Sequence, residues 1–125
     1  MNKCRVVFFL AIIFLSACSQ NQRKPELFIQ KPNINLNEIK FDSTYNIRYS
    51  LVNKGNGVLL IDTATASCGC TIPGIMKRTV EPLDSAILVV QYKPVDTGFF
   101  DKKIVIKSNI DSTFSVVSFK GRAIK

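Results

Sequence analysis

The chain has 125 residues, enough for one domain with a real core and no need of metals or multiple disulfides. It contains no histidine, which excludes serine and cysteine triads built on imidazole, and no glycine motif suited to cradling phosphate. Its formal charge of +8 is spread along the chain, and no Lys/Arg cluster interleaved with aromatics suggests nucleic acid.

Lys3 and Arg5 precede an unbroken apolar run from Val6 to Leu15. Ten residues are too few to span a bilayer as a helix, which needs about 20, so residues 1–17 read as a signal peptide. Leu15-Ser16-Ala17-Cys18 resembles the lipobox of bacterial lipoproteins. That resemblance implies cleavage before Cys18 and acylation of its sulfur and new amino group. Several acyl chains anchor far more firmly than one, so the expected mature protein is attached to a membrane through Cys18 without spanning it. Removal of Lys3 and Arg5 takes the formal charge from +8 to +6. Ser19, rather than aspartate, follows the cysteine, which by resemblance to Gram-negative sorting rules leans to the outer membrane, facing the periplasm. Residues 18–32 read as the lipidated cysteine and a tether, and 33–125 as the folded domain.

From Leu27 onward short strands alternate with turns. Leu27 to Ile29 and Ile34 to Phe41 flank Pro32. In Thr44 to Asn53, Tyr45, Ile47, Tyr49 and Leu51 fall on one face at period two, the mark of a half-buried strand. Asn53-Lys54-Gly55-Asn56-Gly57 predicts a hairpin turn. Val58 to Ile61 is a continuous apolar run suited to a strand buried on both sides, leading into Ser67-Cys68-Gly69-Cys70-Thr71. Pro73-Gly74 is expected to break the chain, with a short edge strand within Met76 to Val80. Ala86 to Tyr92, Phe99 to Lys107 and Thr113 to Ile124 complete the set. About seven strands at this spacing, with no helical periodicity in the domain, predict an all-β, antiparallel, immunoglobulin-like β-sandwich.

Several stretches resemble the bacterial family known as domain of unknown function 1573. They are Asn53-x-Gly55-Asn56-x-x-Leu59-x-Ile61, then Ser67-Cys68-Gly69-Cys70-Thr71-x-Pro73, and further Gly98-x-Phe100-x-Lys102 and Gly121. The resemblance implies a Hydin-type immunoglobulin-like domain, often exported and often lipidated. Two places depart from it: Leu36-Asn37 stands where the family usually has Phe-Gly, and Pro82-Leu83 where it usually has Pro-Gly.

Cys68 and Cys70 are the residues with unusual chemistry. Two positions apart in a strand, they share a face at a separation near the upper limit for a disulfide, and Gly69 could adopt a positive φ to close the gap. One reading is a labile disulfide with a redox role. A second is soft-metal binding, chiefly Cu(I), with Met76 adding a thioether; a closed four-ligand zinc site lacks ligands. A third is a structural bend in which Ser67 and Thr71 bond to backbone. No cofactor pattern and no paired-carboxylate spacing is present. The chain therefore reads as a non-enzymatic binding or scaffolding module for an envelope protein or glycan, with thiol redox or copper handling as the alternative.

Overall fold

A computed structural model describes residues 21–110 and 113–125. The signal peptide and Cys18 lie outside the described residues, as does part of the turn at Asn109 to Ser112. Among the described residues nine strands form: β1 (Leu27–Ile29), β2 (Asn33–Lys40), β3 (Tyr45–Asn53), β4 (Leu59–Ala66), β5 (Thr71–Ile75), β6 (Thr79–Val80), β7 (Ser85–Tyr92), β8 (Gly98–Ser108) and β9 (Ser115–Ile124). They build two sheets, β1-β3-β7-β5 and β2-β9-β8-β4-β6. No helix forms among the described residues. The fold is an immunoglobulin-like β-sandwich.

The core lies between the sheets and follows the period-two pattern. β3 contributes Ile47, Tyr49 and Leu51, β7 contributes Ala86, Leu88, Val90 and Tyr92, and β8 and β9 add Ile104, Ile106, Val117 and Phe119. At one end Tyr92, Phe100 and Phe119 form an aromatic cluster with centroids 5.0–6.1 Å apart, within the range for favourable tilted and edge-on packing.

Several local expectations need correction. β2 runs parallel to β9, so the sandwich is not wholly antiparallel. The Asn53–Gly57 stretch is no hairpin, because β3 and β4 belong to different sheets and the stretch is the corner between them. In β4 only Leu59 and Ile61 are buried, while Val58 and Leu60 are exposed, so the apolar run is not buried on both sides. Pro73-Gly74 does not break the chain but lies inside β5, with Pro73 opposite Val90. β5 is an edge strand, the one sheet position where a missing N–H breaks no ladder.

The folded region also begins before residue 33. β1 pairs with β3, and residues 24–26 form a strap across the corner. The Lys54 N–H donates to the Glu26 carbonyl (2.9 Å), and the Asn56 and Gly57 N–H groups donate to the Lys24 carbonyl (3.0 and 3.1 Å). Asn53, fully buried, joins corner and strap. Its Nδ2 donates to the Gly57 and Val80 carbonyls, and its Oδ1 accepts from the Glu26 and Gly55 N–H groups. Gly55 is required here by close approach: a Cβ would lie 2.2 Å from the Lys24 carbonyl oxygen.

These elements define two poles. The strap lies at the Asn53 end of β3. The register Tyr45–Tyr92–Thr71 across β3, β7 and β5 places the cysteine stretch at the other end. β3 is nine residues long, so the poles are about 30 Å apart at a strand rise of about 3.3 Å per residue.

Candidate functional site

The bend between β4 and β5 carries the cysteines. Cys68 and Cys70 are joined by a disulfide, with their Cα atoms 5.5 Å apart. Backbone bonds hold the bend independently of the sulfurs. The Thr71 N–H donates to the Cys68 carbonyl (3.3 Å), the Ser67 N–H to the Lys103 carbonyl (3.3 Å), and the Lys93 N–H to the Cys70 carbonyl (3.2 Å). Gly69 is exposed, and a Cβ there would meet nothing within 4 Å. Its φ is not in the left-handed region, which among glycines is occupied by Gly98 alone in the described residues. The sulfurs therefore meet without the glycine conformation that spacing suggested.

Thr71 departs from expectation in a more consequential way. Its side chain is not spent on backbone: Oγ1 lies 3.5 Å from Cys68 Sγ and 3.9 Å from Cys70 Sγ. The residue is only 4% exposed, and these sulfurs are the only hydrogen-bond partners of its hydroxyl among the described residues. Met76 is not brought to the site. It lies six positions beyond Cys70, past the whole of β5, about 20 Å of extended chain, and its side chain points into solvent. Among the described residues no group of three or more His, Cys, Asp or Glu side chains converges to hold a metal.

Beside the bend, a surface groove of about 590 Å³ runs between the loop after β2, the end of β7 and the start of β5. Its apolar lining includes Phe41, Ile72 and Val95, with Ile72 60% and Val95 77% exposed, and Cys70 and Gly69 form part of its wall. Sequence reasoning missed this groove. The available signal was Val95, an apolar residue set in a turn between Pro94 and Asp96. A larger groove, about 710 Å³, opens where β2 bulges away from β9. Its charges face one another across the strands, Asp101 opposite Lys120 and Glu38 opposite Arg122, and it includes no sulfur.

The fold recurs in distant proteins. A protein of unknown function from Porphyromonas gingivalis W83 superposes with a TM-score of 0.72 at 13% identity, covering 80% of this chain and 47% of that one. The chain thus spans about half of that protein. The ASH/PapD-like domain 7 of human CEP192 gives 0.67 at 10% identity, covering 89% and 96%. WR4, a C. elegans MSP family member, gives 0.55 at 12% identity, covering 78% and 97%. No curated protein matches the sequence. A family profile described as protein of unknown function (DUF1573) matches residues 27–123, from β1 to the end of β9, and the chain belongs to that family.

Proposed function

We propose that this chain is a lipid-anchored protein of the cell envelope, held to the outer membrane through Cys18 on its periplasmic side. Its sandwich presents a partner-binding surface at the pole remote from the anchor. It acts as a binding or scaffolding module for an envelope protein or glycan, not as an enzyme, and takes no nucleic acid. The observation that carries this reading is the polarity of the domain. The strap ties the chain down from Lys24 onward at one pole, and the exposed apolar groove of Phe41, Ile72 and Val95 opens at the other. A short tether from Cys18 to Gln22 reaches about 12 Å, so the anchored pole would sit against the lipid and the groove would face outward. Exposed apolar side chains gathered at one place favour contact with a partner over open solvent.

Two measurements test this. Cys18→Ala should move the protein out of the membrane fraction; unchanged retention would remove the anchor. A photo-crosslinking residue placed at Ile72 or Val95 should capture a partner in intact cells, whereas one at Leu83, exposed near the anchored pole, should not. Equal capture from both poles, or none from either, would defeat the proposed surface.

A further inference from the structure

We infer that the Cys68–Cys70 disulfide is an exchange site for cysteine-bearing polypeptides, entered through the groove and assisted by the Thr71 hydroxyl. This goes beyond a binding role, because it adds a covalent step; it rests on the same groove and adds the sulfur and hydroxyl geometry beside it. Cys70 forms part of the groove wall, whereas Cys68 does not line it. A thiolate lying along Ile72 and Val95 therefore approaches the disulfide from the Cys70 side, which makes Cys70 Sγ the atom attacked and Cys68 the leaving group.

The Thr71 hydroxyl is placed for that leaving group. It is buried, its partners are the two sulfurs, and it lies closer to Cys68 Sγ (3.5 Å) than to Cys70 Sγ (3.9 Å). A neutral disulfide sulfur is a weak acceptor, whereas a thiolate accepts a charge-assisted bond about twice as strong. The interaction thus strengthens as charge develops on Cys68, which is the condition for speeding the step rather than merely stabilising the resting state. Opening the bond costs the fold little, because the closed loop is only three residues long and the backbone bonds of the bend do not involve sulfur.

The step balances as follows. A thiolate of the polypeptide attacks Cys70 Sγ; a bond forms between them, the Cys68–Cys70 bond breaks, and its electron pair leaves on Cys68 as a thiolate. A second thiolate of the same polypeptide then attacks the first one's sulfur in the mixed disulfide, and Cys70 leaves as a thiolate. The polypeptide dithiol is oxidised to a disulfide, the Cys68–Cys70 pair is reduced by two electrons, and the two protons given up by the polypeptide thiols are available to the new thiolates. A dithiol polypeptide is the only co-reactant of this half-reaction.

The test uses the full-length chain, oxidised and in detergent, mixed with a reduced two-cysteine peptide or with dithiothreitol. After brief reaction, free thiols are alkylated and the products mapped by mass spectrometry. The wild type should carry the peptide on Cys70 with Cys68 alkylated; a mixed disulfide mainly on Cys68 overturns the assignment without need of any variant. Thr71→Val should slow the first step about tenfold, in line with the loss of a hydrogen bond to a charged group, and Thr71→Ser should restore it. An unchanged rate in Thr71→Val removes the hydroxyl's role. An unstructured peptide containing Ser-Cys-Gly-Cys-Thr sets the reference. If the protein favours the two-cysteine peptide over dithiothreitol no more than this reference does, the groove does not select polypeptides and the proposal fails. None of these outcomes depends on the cellular crosslinks, so the two readings fail separately.

Discussion

Among the described residues, two non-glycine side chains sit on backbone of positive φ. Asn37 has φ +57° and Leu83 has φ +65°, both in the left-handed region that favours glycine. They are the two positions where the family resemblance carries glycine, so an apparent change of motif is a cost carried by this chain. Asparagine tolerates the region, and the Asn37 N–H is further held by Asn35 Oδ1 (3.0 Å). Leucine does not, and Leu83 is 86% exposed, so packing offsets none of the strain. Its place is fixed instead by backbone: the Leu83 N–H donates to the Asn53 carbonyl (2.8 Å) and the Asp84 N–H to the Glu81 carbonyl (3.0 Å). Leu83→Gly should therefore stabilise the domain by about 0.5–1 kcal/mol, the left-handed penalty less glycine's extra entropy in the unfolded chain. Urea midpoints of the two proteins would show it, and an equal or lower midpoint for the glycine variant would contradict the strain. The sequence exposed both positions through their departure from the family pattern, but not the strain that goes with them. Backbone conformation is a property of the closed structure, and no local pattern at Pro82-Leu83 reveals it.

Elements were legible in proportion to their length. β3, β7, β8 and β9, eight to eleven residues each, show their alternation directly. β6, with two residues, is too short to express a period and exists only because β4 offers it an edge. The parallel pairing of β2 with β9 is a matter of topology, on which alternation is silent. The Asn-Gly signal marks a change of direction, but as a corner between sheets rather than a hairpin. Its glycines serve the strap, which approaches too closely for any side chain at Gly55, rather than the left-handed turn of a hairpin. This gives the strap its own test. Gly55→Ala should push the strap off the corner while leaving the sandwich folded, because the residues displaced lie outside both sheets. Amide hydrogens of Lys54, Asn56 and Gly57, which donate to strap carbonyls, should then exchange at least tenfold faster, and those of β7 should be unaffected. Uniform loss of protection would mean instead that the strap belongs to the cooperative core.

Across the whole molecule the two sheets are joined chiefly by apolar contact, and Tyr49 adds a polar tie. The residue belongs to β3 and is 1% exposed, yet its hydroxyl donates to the Ser118 carbonyl of β9, in the other sheet, at 2.8 Å. Burial raises its pKa well above the ordinary tyrosine value, since the phenolate would be formed away from water. The consequence for stability has a definite sign. The unfolded chain releases this proton near pH 10 while the folded chain keeps it, so the folded state binds more protons above that point and stability falls as pH rises. Burial shifts Tyr92 in the same direction, so the wild type is doubly exposed to alkali. Tyr49→Phe removes the inter-sheet hydrogen bond and one of these two linkages together. At pH 8 the wild type should be the more stable protein by about 1 kcal/mol, the usual worth of such a bond. By pH 11 the unfolded-state ionisation of Tyr49 alone costs the wild type about 1.4 kcal/mol, enough to close that gap or reverse it. Urea unfolding of both proteins at the two pH values measures the crossing. A difference that stays constant from pH 8 to pH 11 would mean that the phenol ionises as readily in the sandwich as outside it, and that the tie between the sheets is not buried.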